Sequence, residues 1–186
     1  MNFAQRQAGS NAWRHEVNFE EKRRGICMKL KYFAYGSNMC TARLRGRVPS
    51  CVPVTIARLG GYQLRFHKRS KDGSAKCNSL YTGAADDEVW GVIFDIPKAE
   101  KPKLDSAEGL GAGYNDHEVE VVTTAGEKVK TRTYLADASA ITEGLLPYTW
   151  YKAYVLKGAL ECGLPKEYIS QFIEAIPAVK DPRGDE

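Results

Sequence analysis

The stretch Tyr35-Gly36-Ser37-Asn38-Met39 holds the residue types that could most readily do chemistry in this chain. It follows Lys31–Tyr35, an aromatic-rich run typical of a half-buried strand. It precedes Thr41–Leu44, which predicts the first turn of a helix with Ser37 or Asn38 as its N-cap. A glycine between strand and helix allows a sharp turn, so that backbone N–H groups can converge on a carboxylate or a developing oxyanion. From these residues alone, a capped turn without a ligand is the simpler interpretation.

Glu108 is a second candidate, because it ends a helix-like stretch and is followed by Gly109, a plausible C-cap. A carboxyl group aimed into a cleft there could accept and return a proton if apolar neighbours favoured its protonated form. The residues alone favour an exposed glutamate at a helix end. Asp105, one turn earlier, competes for the same role, but we interpret it as part of a solvated helix face.

The elements that would position these residues follow from periodicity and turn residues. The predicted strands are Lys31–Tyr35, Val52–Leu59, Tyr62–His67, Ser79–Thr82, Val89–Ile96, Glu118–Thr123 and Val129–Leu135. The predicted helices are Pro97–Ala107, Tyr148–Glu161 and Pro165–Ala175, with Tyr151, Val155, Leu156 and Leu160 on one face of the second. Many antiparallel strands with helices outside predict an α+β fold, a small mixed, largely antiparallel β-barrel flanked by helices.

Composition excludes several classes of protein. The chain has 186 residues and a formal net charge of +4, of which the first 30 residues contribute +3 (six Lys or Arg against three Glu). The rest is therefore almost neutral, which argues against a nucleic-acid partner. No apolar run approaches the ~20 residues that cross a bilayer, so no membrane partner is expected. The five cysteines include no Cys-x-x-Cys pair, which favours reduced thiols in the cytoplasm over a zinc site or a disulfide framework.

The three histidines are isolated along the sequence. His15 lies near the N-terminus, whereas His67 and His117 lie at predicted strand ends and are interpreted as surface or edge residues. No metal site is predicted.

We expect three segments along the chain. Residues 1–28 form a basic extension, partly disordered or the product of an upstream start assignment; residues 29–176 form the domain; and residues 177–186 form a polar, frayed tail. Within the domain, Lys68–Ala75 is a basic, glycine-containing loop. A solvated loop is the simpler interpretation, and recognition of an anionic substrate group is the alternative.

Several motifs, in order, resemble the γ-glutamylcyclotransferase family, which includes AIG2-like and butirosin-deprotecting relatives. They are Tyr35-Gly36-Ser37-Asn38, Glu88-Val89-Trp90-Gly91-Val92, Leu104-Asp105-Ser106-Ala107-Glu108-Gly109, Gly111-Ala112-Gly113-Tyr114, Arg132-Thr133-Tyr134-Leu135, and Gly163-Leu164-Pro165 with Tyr168. Each motif is weak alone, but their ordered combination, over roughly residues 30 to 176, is fairly specific.

The resemblance implies a small-molecule γ-glutamyl substrate, no cofactor, and the same mixed barrel. It implies that Glu108 is the general acid and base, and it gives a substrate-binding set of Tyr32, Phe33, Ala34, Tyr35, Gly36, Ser37, Asn38 and Tyr134. Because strand side chains alternate in direction, only some of Tyr32–Tyr35 can face a pocket. Tyr134 is expected to donate a hydrogen bond to substrate, and Tyr151 could close the pocket or belong to the core. A homodimer is left open.

The implied reaction is an intramolecular cyclisation, in which the α-amine of a γ-glutamyl group attacks its own γ-carbonyl to give 5-oxoproline and a free amine. It requires a folded glutamyl arm, a proton acceptor for the amine, and donors for the carbonyl oxygen. The substrates expected are γ-glutamyl-amino acids or γ-glutamyl amines. Two alternatives stay open: γ-glutamyl deprotection of a biosynthetic intermediate, and a non-catalytic binding or stress-response module on the same fold.

Overall fold

The computed structural model describes residues 28–184 of the chain. Seven strands are present: β1 (Lys29–Ala34), β2 (Val52–Gly60), β3 (Tyr62–Arg69), β4 (Ala75–Tyr81), β5 (Glu88–Pro97), β6 (Tyr114–Thr123) and β7 (Lys128–Ala136). The helices are α1 (Thr41–Arg45), α2 (Lys101–Glu108), α3 (Thr149–Glu161) and α4 (Lys166–Ile169). Within this part of the chain, no helix is both long and apolar enough to span a bilayer. Residues 1–27, the predicted extension, lie outside the described residues.

Five strands close into a barrel in the order β1-β5-β2-β6-β7. All neighbouring pairs are antiparallel except β1 and β7, which run parallel and meet at Tyr32 and Arg132. β3 and β4 form a separate two-stranded sheet. The prediction of a small mixed, largely antiparallel barrel flanked by helices is therefore confirmed.

Side-chain alternation explains how the barrel strands bury one face. In β6, Val119 and Val121 are buried while Glu118 and Glu120 are exposed, as expected for a strand with one face towards the core. The core also takes side chains from the helices. Its largest fully buried members include Phe33, Phe94, Met39, Leu44, Ile93, Ile96, Leu104 and Ile173.

β4 was predicted too short, because its first half carries polar residues that hide its strand character. The structure buries Asn78 and satisfies it: Asn78 Oδ1 accepts from the Ala136 amide at 2.9 Å, and Nδ2 lies 3.1 Å from His67 Nε2. The prediction that His67 lies at the surface is therefore wrong, since it is buried between Asn78 and Glu143. His117 is exposed, as predicted.

Several predicted boundaries also differ. The last helical segment consists of α4 followed by a π-helical turn, Ser170–Glu174, and Leu160 is 59% exposed rather than on the buried face of α3. The N-cap of α1 is Cys40, with no side-chain cap, because Ser37 and Asn38 belong to a separate 3₁₀ turn. The prediction of a frayed tail is wrong for residues 177–184. Buried Asp181 accepts a hydrogen bond from Trp150 Nε1, and the Thr149 amide donates one to the Val179 carbonyl.

α3 lies unusually close to the loop after β1. A Cβ built on Gly158 would lie 2.2 Å from the Cys40 nitrogen and 2.4 Å from the Met39 carbonyl carbon. These are backbone atoms, so they cannot move aside as a flexible side chain would. Gly158 therefore fixes the approach of α3 to the segment that follows Tyr35.

We expect Gly158→Ala to destabilise the fold, because overpacking at such a contact costs about 1–3 kcal/mol. For a chain of this size that corresponds to a fall in Tm of about 3–10 °C. Gly60→Ala is the matched control, because a Cβ at Gly60 meets nothing within 4 Å. Calorimetric melting of both variants measures the difference, and equal melting temperatures would contradict the close contact.

Candidate active site

Ten side chains and loop residues converge on one cavity, here called the inner cavity, with about 310 Å³ of empty space that is partly open to solvent. Its lining residues come from β1 and the loop after it, from β4, β6 and β7, and from α2 and α3. They are Tyr32, Tyr35, Gly36, Ser37, Asn38, Cys77, Glu108, Tyr114, Tyr134 and Tyr151. The cavity therefore combines one carboxylate with five tyrosines and a glycine-containing loop.

Glu108 is placed at the cavity by the way α2 ends. Gly109 adopts a left-handed conformation with φ of 67°, and the Leu110 amide donates back to the Asp105 carbonyl at 2.9 Å. Glycine takes this conformation without a steric cost, so it closes the helix immediately after Glu108. The predicted C-cap is confirmed.

The Glu108 carboxylate is held through one of its two oxygens. Oε1 accepts from Asn38 Nδ2 at 2.9 Å and forms an ion pair with Arg47 Nη1 at 2.5 Å. Arg47 also donates to Asn38 Oδ1 at 2.7 Å, so the three side chains form a closed triangle. Among residues 28–184, none donates a hydrogen bond to Oε2 of Glu108. The carboxylate is thus oriented on one side and available on the other.

This environment differs from the apolar one that we expected around Glu108. The Glu108 side chain is 16% exposed, and its carboxylate pairs with the Arg47 cation instead of packing against apolar side chains. Arg47 was not predicted as a site residue. Arg43 and Arg47 follow the glycine-containing loop and are four residues apart in the sequence. This spacing could have indicated a pair of cations on this side of the cavity.

The hydroxyl proton of Tyr32 has no hydrogen-bond acceptor among residues 28–184. The hydroxyl oxygen accepts from Asn38 Nδ2 at 2.9 Å. Burial, with the nearby Glu108 charge, raises the pKa of Tyr32 well above its usual value, so the phenol stays protonated. Tyr32 can therefore donate a hydrogen bond into the cavity.

Tyr134 also lines the inner cavity, but its hydroxyl is already engaged. It donates to Asp105 Oδ1 at 2.6 Å, and the same carboxylate pairs with Lys101. The predicted donation from Tyr134 to substrate is not supported by this geometry. Asp105 is also not the solvated helix-face residue that we expected, since it is held between Tyr134 and Lys101.

Two of the predicted substrate-binding residues lie outside the inner cavity. Phe33 and Ala34 are fully buried in the core, and the Phe33 ring packs against Gly91, where a Cβ would lie 2.8 Å from the ring. Strand alternation accounts for Phe33, because Tyr32 faces the cavity and Phe33 faces the opposite side. Tyr35, Gly36, Ser37 and Asn38 do line the cavity.

Three lining residues, Cys77, Tyr114 and Tyr151, form the wall opposite the loop. The Cys77 amide donates to Tyr151 Oη at 3.0 Å, and Tyr114 Oη donates to the Cys77 carbonyl at 2.5 Å. A Cβ on Gly36 would lie 3.2 Å from Cys77 Cβ and 3.4 Å from the Tyr151 oxygen. Gly36 therefore sets the width of the cavity between the loop and this wall.

The Cys77 thiol is not suited to nucleophilic attack. Burial raises the pKa of Cys77 to about 12, so that the thiolate is scarce at neutral pH. We expect iodoacetamide at about pH 7 to leave Cys77 unmodified in the folded protein, as measured by peptide mass spectrometry, and to modify it after denaturation. Stoichiometric labelling of Cys77 in the folded state would contradict this assignment.

A second, larger cavity, here called the outer cavity, has about 630 Å³ of empty space and shares Ser37, Glu108, Tyr114 and Tyr151 with the inner one. Its other lining residues are mostly charged. They are Arg43, Arg47, Lys68, Asp72, Lys76 and Trp150, together with Ser70 and Ala107. Glu108 thus stands at the boundary between an aromatic pocket and a basic one.

No group of three or more His, Cys, Asp or Glu side chains within residues 28–184 has the arrangement of a metal site. The four described cysteines, Cys40, Cys51, Cys77 and Cys162, are all free thiols. The expectation of metal-independent chemistry stays a prediction.

The sequence of residues 88–172 matches the AIG2-like family. The chain belongs to the γ-glutamylcyclotransferase family. It is 37% identical to γ-glutamylcyclotransferase from cattle over 142 residues, which cover 74% of this chain and 73% of the relative. It is also 37% identical to the human enzyme of that name over 141 residues, with the same coverage.

A solved structure of a γ-glutamyl cyclotransferase superposes with a TM-score of 0.74 at 33% identity, covering 81% of this chain and 89% of that one. The sequence and the fold therefore give the same family.

Proposed function

We propose that the chain is an enzyme that cyclises the γ-glutamyl group of γ-glutamyl-amino acids or γ-glutamyl amines to 5-oxoproline and releases the amine. The observation that carries this proposal is the arrangement of the Glu108 carboxylate. Its Oε1 is fixed by Arg47 and Asn38, whereas none of residues 28–184 donates a hydrogen bond to its Oε2. A base held in this way at the edge of a cavity fits the proton transfers that the reaction needs. Family membership supports the same reaction.

Glu108 would move one proton twice. An α-amine has a pKa of about 8 and is largely protonated at neutral pH, so it must lose a proton before its lone pair can attack. That first proton passes to solvent. As the neutral amine then bonds to the γ-carbonyl carbon, Oε2 of Glu108 accepts a second proton from the same nitrogen, which becomes the N–H of the lactam. The same oxygen then returns that second proton to the leaving nitrogen as the original amide bond breaks. Water is neither consumed nor released.

Tyr32 would stabilise the charge that develops on the carbonyl oxygen. Its hydroxyl is protonated, fixed by Asn38, and otherwise without an acceptor among the described residues. Such a preorganised donor acts most strongly on the tetrahedral state, in which the oxygen carries most of the negative charge. We therefore assign the oxyanion contact to Tyr32 rather than to Tyr134.

The loop after β1 would hold the α-carboxylate of the glutamyl arm. Gly36 and Ser37 begin the 3₁₀ segment, whose first hydrogen bond runs from the Met39 amide to the Gly36 carbonyl, so their own amides have no partner within that turn. Arg43 donates to Ser37 Oγ at 3.2 Å and brings a positive charge to this side. Holding the arm folded matters, because well-oriented intramolecular attack can be worth ~7–11 kcal/mol.

A panel of γ-glutamyl compounds, screened for 5-oxoproline by mass spectrometry, tests the proposed function. We expect cyclisation of at least one γ-glutamyl-amino acid or amine. Deprotection of a larger intermediate is a second candidate, and the open outer cavity favours it because a bulky acceptor could extend there. Binding of the panel members without turnover by any of them would favour the non-catalytic module instead.

A homodimer and a cytoplasmic location are further proposals. The location is supported by the free state of the four described cysteines. Sedimentation velocity would test the dimer.

A further inference from the structure

Lys68 is a largely buried lysine that lines the outer cavity and whose ammonium group lacks a hydrogen-bonded anionic partner among residues 28–184. The residue is only 8% exposed, yet its Nζ donates no hydrogen bond to, and forms no ion pair with, any of residues 28–184. Its Nζ lies over the face of the Tyr114 ring, 4.6 Å from the ring centroid. Burial of a charge is costly unless it is paired, so this arrangement is suited to a ligand that supplies the missing anion.

The neighbouring cations of the outer cavity are engaged in other contacts. Lys76 pairs with Asp72 at 2.7 Å, and Arg47 pairs with Glu108. Arg43 donates to Ser37 and lies over the Tyr154 ring at 4.5 Å. Lys68 is therefore the lining cation that has neither a carboxylate nor a hydroxyl partner in the described part of the chain.

The Lys68 side chain is also fixed in place. A Cβ built on Gly113 would lie 2.9 Å from Lys68 Cε and 3.0 Å from Nζ, so the lysine stem runs directly against the Gly113 backbone. With Tyr114 on the other side, the ammonium has little freedom. Burial lowers the pKa of Lys68, which an anionic ligand would oppose.

The position of Lys68 in the outer cavity determines which anionic group of the substrate it can reach. Lys68 lines the outer cavity and not the inner one, and Glu108 lies in both. In the reaction proposed above, the bond that breaks is at Glu108, and the glutamyl arm fills the inner cavity. The part of the substrate that extends past Glu108 towards Lys68 is then the leaving group.

We propose that Lys68 is a specificity-determining residue that binds a carboxylate on the leaving group, so that the enzyme prefers γ-glutamyl-amino acids to uncharged γ-glutamyl amines. This inference rests on the proposed function. It also accounts for the basic β3–β4 segment, in which Lys68 is buried while Lys71, farther along the turn, is exposed.

The test compares γ-glutamyl-alanine with γ-glutamyl-alaninamide, which differ only in the carboxylate. Removal of a hydrogen bond to a charged group costs about 10–100-fold. We expect wild-type kcat/KM to favour γ-glutamyl-alanine by that factor. Lys68→Met, which keeps the apolar stem, should lose about 10–100-fold on γ-glutamyl-alanine and change only a few-fold on the amide. Lys71→Met removes the same charge from the exposed turn and should preserve the wild-type preference.

Equal losses on both substrates in Lys68→Met, or no loss on either, would overturn the proposal. So would a wild-type enzyme that does not distinguish the two substrates, whether or not the variant folds. If wild type cyclises neither these two compounds nor any other member of the γ-glutamyl panel, the proposed function itself fails. The affinities of the two compounds, measured by calorimetry without turnover, then decide the role of Lys68, and equal affinities would overturn it.

Discussion

Glu108→Gln is expected to abolish cyclisation while leaving the fold and ligand affinity almost intact. Glutamine keeps the size of glutamate, and its carbonyl oxygen can still accept from Arg47 and Asn38, but it cannot accept and return a proton at neutral pH. Loss of general acid–base help costs typically ~10²–10⁴-fold in rate. The upper end is expected because one carboxylate would serve both the attacking amine and the leaving nitrogen.

Asp105→Asn is the matched control for Glu108→Gln. Asp105 lies on the same helix, but its carboxylate accepts from Tyr134 and pairs with Lys101. We expect it to retain turnover within about 10-fold, since it would act on the substrate only through Tyr134. Turnover is followed as 5-oxoproline release and affinity by calorimetry. Loss of turnover in Asp105→Asn but not in Glu108→Gln would show that the base is misassigned.

Tyr32→Phe should produce the second largest loss of turnover. The change removes one hydroxyl, which accepts from Asn38 and whose proton has no acceptor among the described residues. Removing a single oxyanion donor costs about 10²–10³-fold in kcat. KM should change far less, because the contact strengthens as charge develops on the carbonyl oxygen.

Tyr134→Phe separates this role from a general effect of removing a cavity hydroxyl. Tyr134 lines the same cavity, and its ring lies edge-on to that of Tyr32 at 5.8 Å, but its proton is directed at Asp105. We expect kcat to stay within about 10-fold of wild type. If Tyr134→Phe lost more kcat than Tyr32→Phe, the oxyanion contact would belong to Tyr134, which the family resemblance implied to be a hydrogen-bond donor to substrate.

Local sequence signals predicted those parts of the site that local geometry determines. Gly109 indicated where α2 ends, and the end of α2 places Glu108 at the cavity. The alternation of β1 indicated that Tyr32 and Phe33 would face opposite sides, although it did not indicate which one faces the cavity. The barrel followed from the number and spacing of strands, because each is bounded by turn residues.

The missed features all depend on contacts between distant residues. Arg47 meets Glu108 across 61 positions of sequence, and no local pattern reports such a pair. Cys77 was missed because the polar residues beside it concealed β4, and their burial becomes favourable only when His67 and Ala136 supply hydrogen bonds. The burial of Lys68 depends likewise on Gly113 and Tyr114, which lie at the start of β6, more than 40 positions later in the sequence.

The central claim is that the α-amine of the substrate, and not water, attacks the γ-carbonyl under the control of Glu108. Turnover of γ-glutamyl-alanine in ¹⁸O-labelled water, followed by mass spectrometry of the glutamyl product, tests it most directly. The account predicts 5-oxoproline without ¹⁸O from wild type, and almost none from Glu108→Gln. Glutamate carrying one ¹⁸O in its γ-carboxylate would show hydrolysis and would contradict the cyclisation mechanism.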